Sequence, residues 1–133
     1  MEAPSAKNNF KQTVCIVDDD ENILEIYKTK FEQSGYDVLT AVNGAEGLAL
    51  VRERKPDILL LDIQMPVKNG VEVIQEMCQD PELKGIPIIV LSNVDDEDMF
   101  REVGQLEHTN FYLIKALTTP QKAVDIVREV LPS

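Results

Sequence analysis

The chain has 133 residues, of which 44% are hydrophobic, and it carries a net charge of −11, so its length fits one domain with its own core. So acidic a surface disfavours direct binding of nucleic acid or of an anionic membrane. No apolar run reaches membrane-spanning length and the polar N-terminus lacks a secretory core, so we expect a cytoplasmic protein.

The N-terminal part of the sequence predicts a tail followed by a strand and a helix. Residues 1–12 are polar and are expected to form a flexible tail, with one domain over residues 13–133. Residues 13–17 form a short apolar run that includes Cys15, which we expect to pack as a small hydrophobic residue. Residues 21–34 have helical spacing, with an apolar face expected to comprise Ile23, Ile26, Tyr27 and Phe31.

The next segments predict a second strand, a second helix and a fully buried third strand. Residues 37–41 are strand-like, and Asn43 with Glu46 three residues later is typical of a helix start. Pro56 ends that helix. The uninterrupted apolar run over residues 58–61, which ends at Asp62, indicates a strand that is covered on both faces, as in a parallel sheet.

The second half of the chain repeats this alternation. Residues 71–79 and the charged residues 95–107 are predicted helices, and the apolar run over residues 88–91 ends at Ser92. Residues 110–114 are the fifth predicted strand, which ends at Lys115. Thr119 followed by Pro120 is typical of a helix start. The last helix has an apolar stripe formed by Ala123, Ile126, Val127, Val130 and Leu131.

Five strands alternating with five helices predict an α/β fold with a doubly wound, five-stranded parallel sheet of the flavodoxin-like type. Such sheets bind ligands beyond the carboxyl ends of their strands. Four of the predicted strands end, in chain order, at Asp18 with Asp19, at Asp62, at Ser92 and at Lys115. We therefore expect these side chains to meet at one edge of the sheet.

Three carboxylates that meet in this way repel one another unless a cation neutralises them. Ligands that are all oxygen suit a hard ion, and Mg²⁺ is commonly held by one or two carboxylates together with phosphate oxygens. A hydroxyl and an ammonium group beside the ion suit the oxygens of a phosphoryl group. Each of these residues also has a simpler interpretation. Asp18 and Asp19 could cap the first helix, although Asp20 is the better candidate for that cap. Ser92 could serve only as a helix cap, and Lys115 could be a surface cation.

The sequence blocks at these strand ends resemble the signature blocks of the CheY-like response-regulator receiver family. They are VDDD at residues 17–20, LDIQMP at residues 61–66 with Gly70 eight residues after Asp62, LS at residues 91–92 and YLIK at residues 112–115. The resemblance spans about residues 13–131. Each block alone is common, but their order and their placement at strand ends make the joint pattern specific.

The resemblance implies a role for each matching residue. Asp62 is implied to be the nucleophile that forms an acyl phosphate. Asp18, Asp19, Asp62 and the backbone carbonyl of Gln64 are implied to hold Mg²⁺. Lys115 is implied to pair with Asp62 and then with the phosphoryl oxygens. Ser92 is implied to bind the phosphoryl group, and Tyr112 to swing inward as Ser92 moves.

The resemblance also implies the function. A receiver takes a phosphoryl group from a sensor histidine kinase or a phosphotransfer protein, and then alters a surface that binds a downstream protein target. It catalyses its own phosphotransfer and autodephosphorylation and is not a free-standing metabolic enzyme. An alternative is a degenerate receiver that acts as a constitutive protein-interaction module. A small hydrolytic α/β enzyme is disfavoured because the sequence has no Gly-rich phosphate loop and no Gly-x-Ser-x-Gly turn.

The chain departs from the family pattern at three places. Ala116 follows Lys115 where the family has proline in a cis peptide, and we expect a trans Lys115–Ala116 peptide because a non-proline cis bond costs about 3 kcal/mol. Asn93 stands where alanine is usual, and we expect it to narrow access to the site and slow dephosphorylation. His108 replaces a usual glycine in a segment that is one residue longer than typical, so we expect an unusual fourth-helix surface.

Overall fold

A computed structural model describes residues 11–63, 65, 67–92, 101, 109–115 and 118–131, of which residues 109–112 are described by their backbone. Five strands lie within these ranges, namely β1 (Thr13–Val17), β2 (Asp37–Ala41), β3 (Ile58–Asp62), β4 (Ile88–Ser92) and β5 (Thr109–Ile114). They form one parallel sheet in the order β2-β1-β3-β4-β5, which confirms the predicted doubly wound sheet.

Four helices connect and follow the strands within the described residues: α1 (Glu21–Gln33), α2 (Gly44–Arg54), α3 (Gly70–Cys78) and α4 (Pro120–Val130). Their first turns are capped by Asp20, Asn43, Asn69 and Thr119, whose side chains accept hydrogen bonds from backbone amides that would otherwise have no partner. The helix predicted over residues 95–107 lies, Arg101 apart, outside the described residues. None of the described helices is long and apolar enough to cross a membrane.

The core has two apolar layers, one on each face of the sheet. Alternate residues of a strand point to opposite faces, so Val14 and Ile16 pack with α1 and α4, whereas Cys15 and Val17 pack with α2 and α3. Every residue of β3 and β4 is buried, as expected from their unbroken apolar runs. Cys15 is buried as expected, and this burial raises the pKa of its thiol to about 12.

One helix face differs from the sequence-based expectation. Ile26 was predicted to face the core, but it is 55% exposed, and Leu24 packs inward with Tyr27 and Phe31 instead. In α4 the predicted apolar stripe packs against the core as expected, with Ile126 and Val130 partly buried, and Val124 is buried in addition. Leu24, Tyr27 and Phe31 keep the three- and four-residue spacing of one helix face, so α1 is rotated relative to the predicted orientation.

The loop between β3 and α3 contains a strained residue. Val67 has a φ of 70° and is 81% exposed. A β-branched residue is rare in this left-handed region because its Cβ approaches the following carbonyl group. Since so exposed a side chain contributes little packing, the strain is held by the surrounding contacts of the loop.

Replacing Val67 by asparagine is therefore expected to raise the free energy of unfolding by about 1 kcal/mol, because asparagine tolerates the left-handed conformation. Urea unfolding followed by circular dichroism measures this. Val67→Thr is the matched control, since it keeps the β-branch and should leave stability near the wild-type value. Equal stability of Val67→Asn and Val67→Thr contradicts the strain.

Candidate functional site

The carboxyl edge of the sheet holds three buried polar side chains, which are the only ones of their kind among the residues that the structure describes. Asp18 follows β1, and Asp62 and Ser92 end β3 and β4; each is at most 2% exposed. The register places Asp62 beside Leu91, so Ser92 lies one residue beyond the partner of Asp62 on the neighbouring strand. Burying a polar group costs free energy unless a hydrogen bond or an opposite charge compensates it. Three buried polar side chains at one edge of the sheet therefore indicate a functional site.

The acidic side chains converge as expected. Asp18, Asp19 and Asp62 each offer a carboxylate oxygen, and these oxygens lie within 4.8 Å of one another. Asp18 and Asp62 are buried, whereas Asp19 is exposed at the mouth of the cluster. An all-oxygen set of this kind, with one member open to solvent, fits a hard divalent cation such as Mg²⁺.

Lys115 lies between the two buried carboxylates. Its Nζ is 2.7 Å from Asp18 Oδ2 and donates a hydrogen bond of 3.2 Å to Asp62 Oδ2, and its side chain is 11% exposed. Burial of the ammonium group lowers the pKa of Lys115, but the contact with Asp18 and the charges of both acids outweigh it, so the pKa is raised. Lys115 is therefore charged at neutral pH and partly neutralises the cluster.

In the turn after β1, one acidic side chain caps the following helix and another belongs to the acidic cluster. Asp20 caps α1 by accepting from the amides of Asn22 and Ile23, and Asp18 Oδ1 accepts a hydrogen bond of 2.9 Å from the amide of Asp20. The prediction that Asp20 is the better candidate for the helix cap is thus confirmed. Asp18 keeps its second oxygen directed at Lys115, so one loop both starts the helix and holds an acid in the cluster.

The turn after Asp62 requires a glycine. The amide of Gly70 donates a 2.8 Å hydrogen bond to the carbonyl of Ile63, and a Cβ on Gly70 would lie 2.7 Å from the carbonyl oxygen of Asp62. This is closer than a side-chain carbon can approach backbone. Gly70, noted in the sequence only by its spacing, therefore lets α3 begin directly against the backbone of Asp62.

The connection after Lys115 is held by α1, which the sequence analysis did not foresee. Thr118 donates from its amide to the carbonyl of Lys115 and from its hydroxyl to that of Ile114. The hydroxyl of Tyr27 donates to the carbonyl of Thr118 at 3.3 Å. Tyr27 and Thr118 are 91 positions apart in the chain, so no local sequence pattern could have revealed this contact.

Tyr27 is expected to ionise at higher pH than an exposed tyrosine, whose pKa is about 10. Burial raises the pKa of Tyr27, the charge of Lys115 lowers it and that of Asp18 raises it, with a net increase. Because the folded-state pKa is raised, the stability contributed by Tyr27 is present below about pH 10 and is lost as pH rises through the folded-state pKa. In an ultraviolet titration of tyrosinate, Tyr27→Phe should remove a component that titrates above pH 10; loss of no such component contradicts the assignment.

The structure describes some of the predicted residues only by their backbone or not at all. Tyr112 lies in β5 opposite Val90, and only its backbone is described. Gln64, Asn93, His108 and the Lys115–Ala116 peptide lie outside the described residues, so the expectations about them remain predictions.

Comparison with known proteins gives a consistent result. The family model described as "Response regulator receiver domain" matches residues 14–128. The polar-differentiation response regulator DivK of Brucella anthropi is 34% identical over 113 residues, which cover 83% of this chain and 89% of DivK.

Solved structures agree with this match. The chemotaxis response regulator CheY4 of Vibrio cholerae superposes with a TM-score of 0.82 at 26% identity, covering 91% of this chain and 99% of that one. The phosphorylated cyanobacterial phytochrome response regulator RcpA gives 0.76 at 29% identity, covering 90% and 91%. With the parallel sheet and the acidic cluster at its carboxyl edge, these matches establish that the chain belongs to the CheY-like family of response regulator receiver domains.

Proposed function

We propose that this receiver domain is a phosphorylation-dependent switch that accepts a phosphoryl group on Asp62 from a sensor histidine kinase or a phosphotransfer protein. The observation that carries the proposal is the placement of Asp62. Its buried carboxylate contacts the Lys115 ammonium and lies in one cluster with Asp18 and Asp19. A carboxylate that is buried next to fixed positive charge suits nucleophilic attack on phosphorus.

In the proposed reaction, an oxygen of Asp62 forms a bond to phosphorus while the phosphorus–nitrogen bond of a phosphohistidine breaks. The electron pair of the broken bond stays on the imidazole, which takes a proton from solvent, and Asp62 becomes an acyl phosphate. Lys115 then pairs with the phosphoryl oxygens, which carry more negative charge than the carboxylate they replace. Hydrolysis of the acyl phosphate by water returns Asp62 to its original form.

The proposed cofactor is Mg²⁺. Asp18, Asp19, Asp62 and the backbone carbonyl of Gln64 would hold it, and when bound it supplies positive charge to the phosphoryl oxygens. The fit is supported by the chemistry of the carboxylates, which are all hard oxygen ligands within 4.8 Å of one another. Lys115 balances only part of their charge, which leaves the cluster attractive to a divalent ion.

The proposed output is a change in a protein-binding surface. Ser92 is fully buried one residue beyond the strand partner of Asp62, so it lies at the same edge of the sheet as a phosphoryl group on that acid would. Tyr112 lies on the adjacent strand β5. We infer that movement of Ser92 toward the phosphoryl group draws Tyr112 inward and repacks the surface that a downstream protein recognises in the cytoplasm.

The test uses acetyl phosphate and Mg²⁺ with intact-mass spectrometry. The wild-type chain is expected to gain one phosphoryl group, and Asp62→Asn is expected to gain none. Asp57→Asn is the matched control: Asp57 precedes β3 at its opposite end, where it accepts from the amide of Thr13, and its replacement should leave phosphorylation intact.

Beryllium fluoride with Mg²⁺ tests the switch separately, through shifts of the amide resonances of Ser92 and Tyr112. A wild-type chain that gains no phosphoryl group and shows no shifts would overturn the proposal in favour of a constitutive interaction module. Equal phosphorylation of Asp62→Asn and wild type would overturn the assignment of Asp62.

A further inference from the structure

Helix α2 begins directly against the loop that follows Asp62, here called the β3–α3 loop, of which the structure describes residues 63, 65 and 67–69. A Cβ on Gly44, the first residue of α2, would lie 2.0 Å from the carbonyl oxygen of Lys68 and 2.8 Å from its carbonyl carbon. Both atoms are backbone and cannot rotate away as a side chain can. To bring the oxygen to even 3.0 Å, the loop or the helix would have to move by about 1 Å.

The side chain of Lys68 makes a second contact, an ion pair. The Lys68 ammonium forms an ion pair with Glu76 of α3, and Arg52 of α2 lies 3.5 Å from the other oxygen of Glu76. The hydrogen bond from Lys68 is the main cause of a lowered pKa of Glu76. Lys68 is therefore fixed through its backbone by α2 and through its side chain by α3.

The loop is short, so displacement of Lys68 reaches the phosphorylation site. Two residues later, Gly70 bonds to the carbonyl of Ile63 and packs against the backbone of Asp62. The left-handed, exposed Val67 indicates that the loop is held in one conformation against a local energetic cost. Since Ile63 and Met65 are both buried, the loop has little freedom to absorb a shift elsewhere.

We propose that Gly44 is a positioning residue for the cation and phosphoryl site. In this assignment the absence of a side chain at the start of α2 allows the β3–α3 loop to approach closely, and the Lys68–Glu76 pair keeps it there. The loop in turn fixes the backbone of Asp62 and Ile63 through Gly70. The inference rests on the proposed function, because it concerns the same site. A misplacement of about 1 Å can cost about 100-fold in a reaction rate, so a small shift is sufficient.

The first test compares Gly44→Ala with Val51→Ala in the full chain. Val51 is buried in the same helix two turns later, so its truncation weakens the packing of α2 without adding an atom against the loop. Isothermal titration with Mg²⁺ is expected to show about a tenfold loss of affinity for Gly44→Ala, and an affinity close to wild type for Val51→Ala. Equal affinities of Gly44→Ala and wild type would overturn the proposal.

If Gly44→Ala does not fold, a second pair of variants tests whether the β3–α3 loop positions the cation site. Lys68→Met and Glu76→Gln both break the ion pair but change the local charge in opposite directions. Charge alone would raise the Mg²⁺ affinity of Lys68→Met and lower that of Glu76→Gln. Positioning predicts a loss of affinity in both. Opposite shifts, or no shift in either variant, would overturn the proposal.

A third measurement separates this inference from the proposed function. Hydrogen exchange of the Gly70 amide in cation-free protein reports the bond to Ile63 directly. Exchange should be faster in Gly44→Ala than in both the wild type and Val51→Ala. A wild-type chain that binds no Mg²⁺ would contradict the proposed function, whereas unchanged Gly70 exchange in Gly44→Ala would contradict the positioning role.

Discussion

Replacing Lys115 by methionine is expected to lower the free energy of unfolding by about 3 kcal/mol at neutral pH without divalent cations. Methionine keeps much of the apolar stem but removes the ammonium group that contacts Asp18 and Asp62. Both acids are buried, so the loss leaves two like charges close together in a region of low polarity. Urea unfolding in the presence of a chelator measures the effect.

Addition of Mg²⁺ is expected to restore most of the stability that Lys115→Met loses, because a divalent ion can replace the missing positive charge. Lys122→Met is the control. Lys122 is an exposed residue of α4, and its replacement should change stability by less than about 0.5 kcal/mol. If Lys115→Met were as stable as wild type in chelator, Lys115 would not be compensating the buried acids.

Much of the fold could be predicted because its strands leave an unambiguous pattern. The unbroken apolar runs of β3 and β4 can be satisfied only when both faces are covered, and the structure buries every residue of both strands. Helix orientation is harder to predict. In α1 both Ile26 and Leu24 have spacings compatible with an inward face, and only packing against the sheet decides that Leu24 is buried and Ile26 exposed.

The candidate site, like the fold, could be predicted only in part. Asp18, Asp19 and Asp62 could be predicted to meet because parallel strands end at one edge, and their oxygens do lie together. Chain order alone gives no distances, so the closer approach of Lys115 to Asp18 than to Asp62 was not foreseeable. The contact of Gly44 with Lys68 was not foreseeable either, because it joins the start of α2 to the β3–α3 loop and no sequence motif connects the two.

Lys115 compensates part of the negative charge of the acidic cluster. The Lys115 ammonium contacts two of the three clustered carboxylates, and one ammonium group cannot balance three negative charges. We expect a divalent ion that binds these carboxylates to compete with Lys115 for their negative charge and to weaken at least one of its two contacts. Cation binding and the position of Lys115 are consequently coupled, and Lys115 follows directly on β5, the strand that contains Tyr112.

This coupling predicts a large effect of Mg²⁺ on the stability of the wild-type chain. At an Mg²⁺ concentration about 100 times Kd, binding to the folded state alone raises the free energy of unfolding by about 2.7 kcal/mol. Asp62→Asn removes one negative charge and one of the three carboxylates that we propose as ligands. If Kd rises about 100-fold, the gain at the same Mg²⁺ concentration falls to about 0.4 kcal/mol.

Thermal and urea unfolding with and without Mg²⁺, at ionic strength matched by a monovalent salt, measures this difference. Salt screens the repulsion within so acidic a surface and would stabilise every variant. Matching the ionic strength makes this screening equal with and without Mg²⁺, so the remaining difference in stability reports specific binding. Asp57→Asn makes the same chemical change at the opposite end of β3 and should keep the full Mg²⁺ gain. An equal gain in Asp62→Asn, Asp57→Asn and wild type would mean that the ion acts on the surface charge as a whole and that the three acids do not form its site.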